Sequence, residues 1–256
     1  MQAEFAYNIP KRSDLLTRYN LVMLKNKFIL LILLGVLAGS GIYLYLTLRP
    51  SLGRSSRVME WLRNPSAHPE WAVHAGTRCS PTSPFIFPTD GLIGYLWDDS
   101  FKIGHRHQGL DIFSGTEAGV TPVISAYPGY LTRLPSWKSA VIVRVPSDPL
   151  HPGQVIWLYY AHMADPSGKS FLSADFPPGT TEKYVSAGTF LGYQGDYSGD
   201  PHNPVGVHLH FSIVKDDGEG HFLNELEIRN TLDPSPYFDL PLNASTAEDR
   251  IPACNP

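Results

Sequence analysis

Val207-His208-Leu209-His210-Phe211-Ser212-Ile213-Val214 alternates apolar and polar residues without a break. Side chains of a β-strand point to opposite faces with period two. A strand here therefore puts Val207, Leu209, Phe211 and Ile213 on one face and His208, His210 and Ser212 on the other. Two imidazoles side by side on a strand surface can share a metal, or divide into ligand and base. Two exposed histidines on a half-buried strand would read the same way, and the spacing does not choose.

Working outward, the chain from residue 85 reads as short strands between Gly/Pro turns. The expected strands are Leu110–Phe113, Pro122–Ala126, Gly129–Leu134, Ala140–Val145, Val155–Ala161, Thr189–Tyr193 and Val207–Val214. Their spacing suits an antiparallel β-sandwich or barrel rather than βαβ units. Twenty-two glycines and 23 prolines in 256 residues point the same way, towards a mainly β fold with Gly/Pro-rich loops. Hydrophobic residues at 43% supply a core, which excludes wholesale disorder. A net charge of −4 speaks against a nucleic-acid partner.

Two more segments carry chemistry. In His107-Gln108-Gly109-Leu110-Asp111-Ile112, a strand places His107, Gly109 and Asp111 on one face, with Leu110 and Ile112 turned to the core. Imidazole and carboxylate both suit zinc, and Gly109 would leave room for an ion. Val155–Met163 is an apolar strand ending on His162. A catalytic zinc site takes three protein ligands and keeps one position open. His107, Asp111 and one histidine of the His208/His210 pair would supply three, leaving the other and His162 beside the water. No HExxH helix provides a glutamate base, so a histidine would do that work.

These segments resemble the lysostaphin-like, LytM-type zinc endopeptidases, which cut peptide bonds in bacterial peptidoglycan. HQGLD (His107–Asp111) resembles the family's HxGxD, HLHF (His208–Phe211) its HxH, and YAHM (Tyr160–Met163) its third histidine motif. TPVISAYPGYLTRL (Thr121–Leu134) and VSAGTFLGYQG (Val185–Gly195) resemble the strand pair and turn between them, in the same order. The resemblance covers residues 85–240. It implies a Zn2+ ion on His107, Asp111 and His210, with His162 and His208 as the catalytic pair that does not bind metal. It also implies a peptidoglycan peptide as substrate. Two stretches depart from the family. The Met163–Tyr184 connection is long, and the approach Asp196–Gly206 lacks the usual Ser/Thr-Gly-Pro run. His105 and His202 are expected at the rim; His68, His74, His151 and His221 are expected to be structural or surface residues.

Phe28–Leu48 is a run of 21 uncharged, largely apolar residues, long enough to cross a bilayer. Tyr43 and Tyr45 lie near its far end, where interfacial aromatics sit. A signal peptide cut after a Val36/Ala38 small-residue site is the other reading; the 27 residues before the run and its continuation past that site favour an anchor. Lys25 and Lys27 before the run, against Arg49 after it, favour the N-terminus inside. The expected organisation is a cytoplasmic segment 1–27, a transmembrane helix 28–48, a connector 49–84 with a short helix Ser55–Arg63, the peptidase domain 85–240 and a polar, irregular tail 241–256. The peptidase domain would lie outside the cytoplasmic membrane, or be secreted if the segment is cleaved. Cys79 and Cys254 would then meet an oxidising environment and pair. The rival readings are a non-catalytic peptidoglycan-binding or hydrolase-activating scaffold of the same fold, and a lipoyl-like carrier. The carrier requires an exposed lysine on a hairpin, and none lies between Val185 and Val214.

Overall fold

The computed structural model describes residues 12–100, 104–247 and 250–254, with residues 12–22 and 46–52 described by backbone alone. The chain divides into two compact units, Met1–Arg49 and Pro50–Pro256. Helix α1 (Arg12–Arg63) supplies residues to both. Within the first unit, Met23–Tyr45 is helical, has a mean hydropathy of 2.2 and buries none of its residues against protein. By length and composition it can cross a membrane.

The second unit is mainly antiparallel sheet. Its strands are β1 (Ala72–Val73), β2 (Gly91–Tyr95), β3 (Leu110–Phe113), β4 (Pro122–Ile124), β5 (Gly129–Thr132), β6 (Val141–Val145), β7 (Ile156–Ala161), β8 (Lys183–Val185), β9 (Phe190–Tyr193), β10 (Leu209–Lys215) and β11 (Thr231–Leu232). A nine-stranded sheet runs β1-β2-β3-β10-β7-β6-β5-β8, with β11 also paired to β10; β4 and β9 form a second, two-stranded sheet. The main core contains Leu110, Ile112, Leu158, Tyr160, Leu209 and Phe211 from the large sheet together with Val123 and Leu191 from the small one. Phe87 and Phe238 stack in the same cluster, with ring centroids 4.7 Å apart.

All seven expected strands are present: Leu110–Phe113 has the expected bounds, the last runs Leu209–Lys215, and the other five are shortened at one end; the alternation rule holds from Leu209 onward. Leu209, Phe211 and Ile213 face this core, whereas Val214 packs with Trp157 and Ile142 on the opposite face. Val207 and His208 lie before the strand; His208 is held instead by an isolated bridge to Gly195. Strands β1, β2, β8 and β11 were not expected. β1 and β11 are two residues long and β8 three, too short to show a period, and β2 is Gly-Leu-Ile-Gly-Tyr, with no alternation to read.

The expected short helix Ser55–Arg63 is the end of α1, and it packs on the sheet. Val58 and Trp61 form a second core with Leu92 and Phe113. Cys79 and Cys254 are joined by a disulfide across a sequence separation of 175. The C-terminal stretch is irregular, as expected, but not merely polar surface: Leu242 and Ala247 are fully buried.

Candidate active site

Strand register brings the three sequence segments together. On β10, His210 is paired with Asp111 of β3 on one side and with Ala161 of β7 on the other. His162 follows β7 directly, and His107 precedes β3 by three residues. Gly109, between His107 and Asp111, makes room for the chain rather than for an ion. A Cβ there would run into the Phe211 carbonyl oxygen and lie 2.9 Å from the Ser212 Cβ.

His107 Nε2, Asp111 Oδ1 and His210 Nδ1 converge. The separations are 3.0 Å from His107 to Asp111, 3.2 Å from His107 to His210, and 2.9 Å from His210 to Asp111. His107 donates its Nδ1 proton to the Leu96 carbonyl at 2.9 Å. In the neutral ring Nε2 therefore presents a bare lone pair to the centre. Three electron-rich atoms turned towards one point, two of them on buried residues, suit a cation. Asp217, Glu219 and His221 also group together, but all three are exposed.

The other two histidines stand beside this cluster. His208 Nε2 lies 3.5 Å from Asp111 Oδ1, and its Nδ1 donates to the Gly206 carbonyl at 2.9 Å. His162 donates Nδ1 to the Tyr197 carbonyl at 2.8 Å, and its ring centroid is 4.6 Å from that of His208. His162 has φ +70°, in the left-handed region that residues other than glycine enter uncommonly, histidine more readily than most. Gly195 closes over this turn: a Cβ on it would meet the Ala164 carbonyl oxygen and stand 2.5 Å from that of His162.

The electrostatics follow from burial and crowding. Burial alone would raise the Asp111 carboxyl, but the facing His107 and His208 imidazoles outweigh it and hold the group well below the usual carboxylate range. Burial pulls His107 down, yet Asp111 more than offsets it and the net shift is upward. Burial lowers His210 in spite of Asp111. Burial, together with the neighbouring His208 and His210 rings, depresses His162 to about 3. His162 is thus neutral at physiological pH, with Nε2 available as an acceptor.

The cluster opens into a groove of about 700 Å³, whose walls include Trp137, Lys138, Tyr159, Tyr197, Glu225 and Leu226. All five histidine and aspartate residues picked out by the sequence line it, as does His105; His202 is not among its lining residues. The wall residues were missed from the sequence. Nothing local marks Tyr197, whose contribution to His162 is a backbone carbonyl.

No protein-family model matches the chain, and no curated protein matches it. Among solved structures it is similar to a catalytic-domain variant of the prophage-encoded M23 protein EnpA from Enterococcus faecalis. That match has 21% identity and a TM-score of 0.35, and covers 56% of this chain and 90% of that one. It is similar to the catalytic domain of the antimicrobial peptidase lysostaphin from Staphylococcus simulans, at 20% identity and TM-score 0.36, covering 57% and 88% respectively. Csd3 from Helicobacter pylori matches at 20% identity and TM-score 0.34, over 55% of this chain and 33% of that one.

Proposed function

We propose that the protein is a membrane-anchored zinc endopeptidase that hydrolyses peptide bonds of peptidoglycan outside the cytoplasmic membrane. The observation that carries this reading is the convergence of His107 Nε2, Asp111 Oδ1 and His210 Nδ1 within 3.2 Å at the floor of a groove. Two neutral imidazoles and one carboxylate form a donor set that fits zinc. When bound there, zinc would supply Lewis-acid polarisation of the scissile carbonyl and activate a water molecule.

The chain's own residues do the rest. Each ligand is oriented from behind or from the side: His107 by the Leu96 carbonyl, Asp111 and His210 by their pairing in the sheet. His162 and His208 each commit Nδ1–H to a backbone carbonyl, so Nε2 of each is the atom left to handle a proton, that of His208 lying 3.5 Å from Asp111 Oδ1. A neutral His162 accepts a proton from the attacking water; the pair then returns one to the leaving amine. The groove walls hold an extended peptide and limit water around the reacting bond.

The membrane anchor is supported by the apolar helix Met23–Tyr45, and the external location by the Cys79–Cys254 disulfide, a bond favoured by oxidising compartments. Substrate choice follows the motif resemblance of residues 85–240. The test is digestion of purified peptidoglycan by the metal-loaded full-length protein, with identification of new amino termini. New termini that vanish with a chelator and return with zinc are expected. Zinc uptake without any new terminus would instead favour the scaffold reading.

A further inference from the structure

One face of the last turns of α1 reaches towards the site. Arg54, Val58 and Trp61, spaced i, i+4, i+7, are its buried positions. Arg54 Nε is 2.6 Å from Asp99 Oδ2, with both side chains almost fully buried. The Asp99 carbonyl accepts the backbone N–H of His107 at 2.7 Å, and Asp98 N–H donates back to the His107 carbonyl at 2.8 Å. Ser55 Oγ and the Tyr95 hydroxyl share a hydrogen bond of 2.9 Å, and the Tyr95 ring stands edge-on to His107 with centroids 6.5 Å apart. The Trp61 indole N–H donates to the Phe113 carbonyl at 2.7 Å, and the Phe113 ring stacks on His208 at 4.8 Å and 27°. β2 makes way for this helix face at Gly94, where a Cβ would strike Val58 Cγ2.

We propose that the segment Arg54–Trp61 of α1 is a brace for the active site, and that Arg54 and Trp61 are positioning residues. Arg54 fixes the backbone that presents His107, and Trp61 fixes Phe113, the ring against which His208 rests. Neither touches the groove. This segment thus supports two histidines that approach the same Asp111 oxygen, His107 at 3.0 Å and His208 at 3.5 Å. Catalytic output then depends on how this turn is seated, because small displacements of reacting groups cost rate steeply. The proposal rests on the reading of His107 and His208 as active-site residues.

The experiment uses the full chain in detergent micelles, with histidine ring carbons labelled for NMR and the resonances assigned by single substitutions. Trp61→Phe keeps an aromatic ring and deletes the N–H. Arg54→Gln removes the charge, and Arg54→Lys restores it. Trp61→Phe is expected to shift the His208 resonance and Arg54→Gln that of His107, with Arg54→Lys in between. Turnover on peptidoglycan should fall about tenfold in kcat for Trp61→Phe, with KM within about twofold. Melting temperatures report the fraction folded, so rates refer to folded protein. Unmoved resonances overturn the proposal, whether turnover per folded molecule holds or falls. Shifted resonances in a protein whose wild type cleaves nothing would leave the brace standing and sink the peptidase reading.

Discussion

Asp111 and His210 are placed by neighbouring strands, with His107 tied beside them three residues before β3 by the Leu96 carbonyl, whereas His162 and His208 are placed by loops. In the first region, β10 lies between β3 and β7, so the Asp111↔His210 pairing follows from sheet register. In the second, each histidine is tied to a backbone carbonyl, Tyr197 for His162 and Gly206 for His208, and His162 sits in a left-handed conformation under Gly195. The strand-built pair Asp111 and His210 is rigid because slipping register by one residue would turn every side chain over. A loop-built pair depends on a few close contacts, and loops are where a scaffold can vary its chemistry.

The comparison predicts that the two regions fail differently. His210→Ala or Asp111→Ala removes a ligand of the trio and should abolish both stoichiometric zinc and turnover. Metal analysis of purified variants, alongside hydrolysis of peptidoglycan, checks this. Retained zinc in both variants would remove the trio from consideration as the metal site.

His208→Ala and His162→Asn should keep about one zinc per chain while turnover falls by roughly 10²–10⁴, the usual size of a general acid–base contribution. Asparagine is chosen at 162 because it tolerates the left-handed backbone there. The reverse pattern, with His208→Ala losing zinc and His210→Ala keeping it, would exchange their roles.

Gly195→Ala tests what holds the second region. The added methyl meets two backbone carbonyls, of Ala164 and His162, that have no flexible end to give way. Turnover should fall about tenfold as His162 is displaced, while zinc content stays at the wild-type level. Equal loss of zinc and turnover would mean that the two regions are not separately supported.

The same division explains what was legible in the sequence. Alternation in residues 207–214 announced β10, and the core-facing Leu110 and Ile112 of β3 follow the expected pattern. The motif order then picked out five residues that the fold brings to one groove. The groove walls were not legible, because Trp137, Tyr197 and Glu225 come from irregular segments whose approach is set by tertiary contacts. The role of the connector was hidden for a related reason. Arg54 and Trp61 have helical spacing, but nothing local says that their partners are Asp99 and the Phe113 carbonyl, some 50 residues away. Gly109 does mark a close approach, but the space it leaves is taken by β10 rather than by an ion.

The finest test of the comparison is acid stability of the metal-free protein. His162 has a folded pKa depressed to about 3, against an ordinary value of 6.5, chiefly through burial. Below about pH 6.5 the unfolded chain takes up a proton that the folded chain refuses, so this group lowers stability as pH falls from 6.5 towards 3. The limiting slope is about 1.4 kcal/mol per pH unit. His107 runs the other way. Its folded pKa is raised by Asp111, so its contribution is fully present below 6.5 and is lost as pH rises through the raised value. His162→Asn should therefore flatten the loss of stability between pH 6.5 and 4 and leave the neutral-to-alkaline limb unchanged. His107→Gln should alter that upper limb. Urea denaturation at a series of pH values measures both. A His162→Asn profile parallel to wild type from pH 6.5 to 4 would show that the loop-held histidine protonates without resistance, and that the two regions share one electrostatic environment.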